Sequence, residues 1–387
     1  MPPAWQPARR RTWLVVLTSI VLGLGAVAVA ALLVISGGPE AALVGFGLAV
    51  IPVPFVVMTY LWLDRYEPEP WSYLVSAFGF GAIIATTIGV VFTMLGAKAS
   101  GLDGDDMAGV VWAPITEEFG KGLFILLVVL LRRQQMHGLL DGIVYAGMVG
   151  IGFAFTENIL YYMQTYLGES PAGGRGIEAT SALFFLRGVM APFSHPLFTA
   201  AIGIGFGIAV YARRWVTRIG APLIGYAVAV GLHSAWNASA FLGEGWTFLA
   251  TYAVGMMPAL AFVLGLALWV RRREGRVLAA ALADCAARGW LHPDEIPWIA
   301  SLSHRATARS YAKIRHGRPT ARAVKEYQQA VTELGFLHDR ILRGSPPKGH
   351  LALQAAIRGR IAMWRPNVVL PPPLPRVPRH LYAHPSG

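Results

Sequence analysis

Four short segments of the 387-residue chain set ionisable and amide side chains into otherwise apolar surroundings. They are Pro114-Ile115-Thr116-Glu117-Glu118-Phe119-Gly120-Lys121, Phe153-Ala154-Phe155-Thr156-Glu157-Asn158, Phe193-Ser194-His195-Pro196 and His233-Ser234-Ala235-Trp236-Asn237. A carboxylate beside two imidazoles and an amide can activate water and stabilise an oxyanion, the two requirements of peptide hydrolysis. A Glu/His/His set, here Glu118, His195 and His233, could instead hold Zn2+ in an open three-ligand site that lowers the pKa of a bound water. These residue types leave a zinc-dependent and a metal-free mechanism both open.

Spacing within each segment narrows what can face what. Residues four apart share a helix face, so His233 points with Asn237, His195 with Thr199, and Glu117 with Lys121. Glu117 and Glu118 diverge by about 100°, so one can do chemistry while the other holds Lys121 or a partner helix. Each element also has a plainer role: an intramembrane His or Asn is ordinarily interhelical glue, and Glu117 with Lys121 makes a neutralised pair. The commoner protease motifs, HExxH and GxSxG, are absent, and no pair of membrane aspartates occurs.

The elements that must position these residues follow from composition. The chain is 55% hydrophobic and 14% charged with a mean hydropathy of +0.50, which excludes an ordinary soluble domain and implies a polytopic membrane protein. A single cysteine excludes a disulfide framework and a cysteine zinc cage. Apolar runs of spanning length, about 20 residues, occur at 13–35, 41–63, 72–96, 109–131, 139–163, 191–211, 219–242 and 246–270. The expected fold is therefore all-α, a bundle of about eight transmembrane helices. Residues 179–190 are apolar but short and carry Arg187, as an interfacial or re-entrant piece would. Small residues at every fourth position (Gly142, Ala146, Gly150, Ala154; Ala227, Gly231, Ala235) predict close helix packing.

Arginines alternate between loops: Arg9 to Arg11, Arg65, Arg132 and Arg133, Arg213, Arg214 and Arg218, and Arg271 to Arg273 fall on one side, against Lys98 and Arg175 on the other. The excess marks the cytoplasmic side and puts both termini there, in a multi-pass protein of the cell membrane. At ~1.5 Å rise per residue, Glu118, Glu157, His195 and His233 then share the outer half of the bilayer although their helices alternate in direction. Intramembrane ionisable groups cost about 2.5 to 3.5 kcal/mol each on insertion scales, and a common depth points to one site.

The net charge of +12 is unevenly placed. Residues 1–270 hold 13 basic and 14 acidic residues, whereas 271–387 hold 20 and 7. The expected organisation is a basic cytoplasmic N-terminus (1–12), a transmembrane protease domain (13–270), a basic helical region (271–365) and a Pro-rich extended tail (366–387). Helical segments are expected at 271–288, from His292-Pro293-Asp294-Glu295, and at 318–342. The histidines of this region show no metal spacing. Its charge suits anionic lipid headgroups at about 1 kcal/mol per nearby basic residue, and no motif supports nucleic-acid binding.

The ordered motifs resemble those of PrsW-type intramembrane proteases: Glu117-Glu118-x-x-Lys121, Phe153 to Glu157-Asn158, Ser194-His195-Pro196 and His233-x-x-x-Asn237. The Asp64-Arg65-Tyr66-Glu67-Pro68-Glu69-Pro70-Trp71 loop resembles that of actinobacterial members. The likeness covers roughly 61–242, and that family is similar in turn to type II CAAX prenyl endopeptidases and bacteriocin-processing enzymes. Lys121 stands where the wider group has Arg. The resemblance implies Glu117 as water-activating base, Glu118 as second glutamate, His195 as partner, and His233 with Asn237 on the oxyanion side. Glu157, Asn158, Lys121 and Thr199 would support them. It implies cleavage of a membrane-tethered protein, with anti-sigma factors as the associated substrate class. From the residues alone, a proton-coupled transporter using Glu117, Glu118, Glu157 and His233, or an inactive membrane scaffold, are the competing readings.

Overall fold

The computed structural model describes residues 12–66, 68–102, 104, 107–131, 136, 138–169, 173–241, 245–344, 346–347 and 349–373. The expected basic N-terminus up to Arg11, Glu67, Arg132, Arg133 and the tail from Leu374 lie outside the described residues. All secondary structure among the described residues is helical, as expected. They form two compact units, one built on 12–64 and 69–268, the other on 269–373 with Arg65, Tyr66 and Pro68.

Six stretches of the described chain are long and apolar enough to cross a membrane. The first, Ser19–Leu63, has 45 residues, roughly 68 Å if straight and about twice a hydrocarbon core. It cannot be one span, and the backbone shows why. Helix α1 (Thr12–Val50) breaks at Gly38, whose φ of 78° suits glycine alone, and Pro39 follows without a donor N–H. Packing confirms that the chain reverses there: Gly25 lies against Ile83, Gly37 against Met163, Gly45 against Ile159, and Tyr60 of α2 (Val53–Leu63) against Gly147. Helix α3 (Trp71–Gly79) passes through a π-helical turn at Phe80–Ala85 into α4 (Thr86–Ser100). Helix α5 (Ala113–Leu131) carries Glu117, Glu118 and Lys121, three charges within one apolar helix. With α5 and the reversal counted, each of the eight apolar runs is largely helical among the described residues.

Helix α6 (Leu139–Leu167) is the centre of this unit, buried around nearly its whole circumference from Leu140 to Phe153, as an all-round apolar helix must be. Its glycines permit backbone contact: a Cβ at Gly142 would lie 2.1 Å from the Gly203 carbonyl oxygen, and one at Gly152 would lie 1.9 Å from that of Phe78. Gly150 meets Pro196 in the same way, so the expected stripe on this helix packs. The stripe expected at Ala227, Gly231 and Ala235 does not. Those residues are exposed and nothing lies within 4 Å of a Cβ at Gly231. Helix α9 (Trp215–Phe241) instead uses Ala221, Pro222 and Gly225 against Gly205 and Ala201 of α8 (Ser194–Tyr211). The four-residue period was right there, and the face was wrong by about half a turn.

Between α6 and α8 lies the short α7 (Gly176–Phe184), a π-helical turn (Phe185–Met190) and a break at residues 191–193 containing Pro192. The break separates residues 176–190 from α8. Phe184 rests on Tyr162 with ring centroids 6.1 Å apart. After α10 (Gly245–Ala250), α11 (Met257–Ala287) runs without interruption through the expected boundary at Val270, because Arg, Leu and Ala are all strong helix formers.

The second unit packs Leu278, Leu282 and Cys285 of α11 against Ile296, Ile299, Tyr327, Val331 and Leu334, with Ile357 and Ile361 closing the core. These come from α12 (Pro297–Ala300), α13 (Leu302–Leu342) and α14 (His350–Trp364). Helix α13 breaks at Gly317 (φ 85°) before Pro319. Tyr66 belongs to this core although the sequence assigns its loop to the membrane domain. Its hydroxyl donates to the Ala300 carbonyl at 3.0 Å, and the Arg305 guanidinium stands 5.3 Å from its ring centroid.

Candidate active site

Helix α5 supplies both glutamates. Glu118 is fully buried and both its carboxylate oxygens accept: Lys121 Nζ donates at 2.8 Å, Thr199 Oγ1 donates at 3.0 Å, and His233 Nδ1 lies at 3.1 Å. A carboxylate only accepts, so His233 carries its proton on Nδ1 and presents the Nε2 lone pair. That nitrogen lies 3.8 Å from Glu117 Oε2. Glu117 Oε2 is buried with no hydrogen-bond partner, and the Lys121 ammonium is 3.6 Å away. Of the two glutamates, Glu118 holds Lys121 and the neighbouring helices, and Glu117 keeps a free oxygen.

His195 is held from both sides. Its Nδ1 lies 3.1 Å from Lys121 Nζ, and its Nε2 lies 2.8 Å from Glu157 Oε2. An ammonium only donates, so Nδ1 accepts and the Nε2 proton goes to Glu157. Aromatic walls complete the site. Phe198 stacks on His233 at 4.8 Å between centroids, Phe153 lies 3.8 Å beneath Lys121 Nζ, and the two imidazoles meet edge to face at 5.1 Å.

Several contributors lie outside the four motifs, and the sequence shows Arg187 only as a charge in a short apolar stretch. Arg187 pairs with Glu157 and donates to Asn158 Oδ1 at 2.7 Å. Gly89 faces Glu117, where an added Cβ would lie 2.8 Å from Cγ. The hydroxyls of Thr93 and Thr116 meet at 2.7 Å, and Tyr226 donates to the Ile115 carbonyl at 2.8 Å, fixing the start of α5. Asn237, one turn beyond His233, donates Nδ2–H to the Gly109 carbonyl at 2.9 Å. That leaves its second N–H for other partners.

The structure thus brings together Glu117, Glu118, Lys121, Glu157, His195, Thr199 and His233, with Asn158 and Asn237 at the margin. Single donor atoms of Glu117, His195 and His233 lie within 4.8 Å of one another. The sequence analysis puts Glu118 in that trio. Its oxygens are taken, and the helix rotation gives the place to Glu117. The Glu117 oxygen and the Nε2 of His233 are open to a metal, Glu118 on His233 Nδ1 is the orienting contact such ligands have, and ligation by His195 Nδ1 would displace the Lys121 ammonium that it faces.

The profile of a family described as PrsW family intramembrane metalloprotease matches residues 69–267, just over half of the chain. The chain belongs to the PrsW family. Its relatives include proteins named Protease PrsW from Geobacillus kaustophilus, 31% identical over 160 residues covering 41% of this chain and 64% of the relative, and from Oceanobacillus iheyensis, 28% over 151 residues covering 39% and 63%. The same name belongs to a Bacillus subtilis relative that is 26% identical over 167 residues, covering 42% and 69%. The chain thus spans a little under two thirds of the first two. No solved structure matches. The PrsW region contains every site residue named above, whereas nearly all of the second unit lies beyond it.

Proposed function

We propose that this chain is an intramembrane endopeptidase that hydrolyses a membrane-tethered protein, and that Glu117, His195 and His233 carry the chemistry. The observation behind this is the buried Glu117 oxygen that has no hydrogen-bond partner, facing a free imidazole nitrogen. A buried polar atom left unpaired costs about 1 to 3 kcal/mol, a cost more readily understood if a water or an ion belongs there.

Glu117 accepts the proton of the attacking water, and His233, its tautomer set by Glu118, turns Nε2 toward the same point. Lys121 neutralises Glu118 and stands close enough to Glu117 to stabilise its charge. Asn237 keeps one amide hydrogen for the developing oxyanion. If a metal is resident, Glu117, His195 and His233 would hold it, and it would supply Lewis-acid activation of water. The same three residues serve either mechanism.

The shared depth of the site on helices of alternating direction supports cleavage in the outer half of the bilayer, with both termini cytoplasmic. An anti-sigma-factor-like single-span protein is the proposed substrate class. The basic C-terminal unit is proposed to contact anionic lipid headgroups rather than nucleic acid. The test is reconstitution of the protein with candidate single-span substrates. Glu117→Gln and His195→Ala should each abolish cleavage, and a chelator decides whether a metal takes part. Cleavage that survives both substitutions rejects the site.

A further inference from the structure

Arg187 lies outside the four motifs, in the π-helical turn Phe185–Met190 that follows a helix too short to span. An arginine there needs a reason, since a lipid-facing position would give its charge no partner. Its guanidinium is fixed at three points along a single turn of α6. Nη2 pairs with Glu157, Nε donates to Asn158 Oδ1 at 2.7 Å, and the group stands 4.0 Å from the Tyr161 ring centroid. The Glu157 oxygen that Arg187 holds is also the one 2.8 Å from His195 Nε2. Beside them is a cavity of about 10 Å³ whose lining includes Asn158, Arg187, Ser194 and His195, room for one water among polar partners.

We propose that Arg187 is a positioning residue for His195. Its planar fork clamps the Glu157 carboxylate against Nε2–H, which leaves the Nδ1 lone pair directed to the Lys121 side of the site. A lysine at the same place could neutralise Glu157, but it could not hold Glu157 and Asn158 in one rigid plane. The four motifs then need a fifth element, supplied by the short segment between α6 and α8.

The kinetic arm of the test rests on the proposed protease activity; the spectroscopic arm does not. Full-length protein labelled with 15N-histidine in lipid nanodiscs should show His195, assigned by difference from His195→Gln, with Nε2 protonated and Nδ1 bare. Arg187→Lys and Arg187→Gln should both move the His195 Nε2–H signal as its Glu157 acceptor shifts, while Nδ1, still facing the Lys121 ammonium, stays bare. Both should lower kcat about 10- to 100-fold, the usual cost of losing an orienting partner, with KM within about twofold. Arg187→Lys keeps the charge and so provides a folded comparison if Arg187→Gln does not assemble. Wild-type 15N signals and kcat in Arg187→Lys would reduce Arg187 to a counter-charge and overturn the proposal. If the wild type cleaves nothing, the protease reading fails, and the His195 Nε2–H signal in Arg187→Lys still decides the role of Arg187.

Discussion

A methyl group at residue 89 would lie 2.8 Å from Glu117 Cγ and 3.5 Å from the Phe153 ring. Gly89→Ala therefore tests Glu117 without altering any titratable group. The expected outcome is a loss of cleavage of about tenfold or more, the scale on which a small misplacement of a reacting group acts, with little change in melting temperature. Thr199→Val acts on the other glutamate. It removes one of the donors to Glu118 and should cost about 1 to 3 kcal/mol of stability, read by thermal unfolding in detergent. The residue types needed for hydrolysis are visible in the sequence as charges in apolar runs. Which of two adjacent glutamates is free is not visible there. The answer depends on a rotation of about 100° between successive residues and on what α8 and α9 place opposite each.

At the scale of elements, close backbone contact between helices is the main constraint. Gly142 and Gly203 approach so closely that a Cβ on either lies 2.1 Å from the carbonyl of the other. Gly142→Val should prevent α6 and α8 from meeting and should appear as loss of a monodisperse peak in size-exclusion chromatography. Gly231→Val, on the exposed face of α9, should leave the peak unchanged. The tip of the bent α13 presents a different kind of surface. Ile314 is 81% exposed, flanked by exposed Lys313, Arg315 and Arg318, and no acidic residue occurs from 296 to 325. An environment-sensitive fluorophore on Ile314→Cys should shift to the blue in nanodiscs containing anionic lipid, and the shift should fade with salt. A spectrum indifferent to both would sink the lipid contact proposed for this unit. Apolar runs and glycine spacing are legible in the sequence. The face on which a stripe packs is not, as the exposed Gly231 shows.

For the whole molecule, the lone cysteine reports on the integrity of the second unit. Cys285 is fully buried in that core, and burial pushes its thiol up to about 12. Alkylating reagents should leave the native protein unmodified at neutral pH and label it stoichiometrically only in denaturant, which mass spectrometry reads directly. The same inertness makes Ile314→Cys selectively addressable. Taken alone, the sequence determined that the chain is an all-α membrane helix bundle, since span length and hydropathy follow from composition and the thickness of a bilayer. It also determined the short set of side chains able to do chemistry, because charge in an apolar run is costly and therefore conspicuous. Tertiary structure decided the rest. It joined Arg187 to Glu157, set Gly89 against Glu117, placed Tyr66 in the core of a unit whose other parts begin two hundred residues later, and left Glu117 with the open oxygen. Each of these depends on contacts between segments far apart in the chain, and no local pattern of residues encodes the rotation and register at which two helices meet.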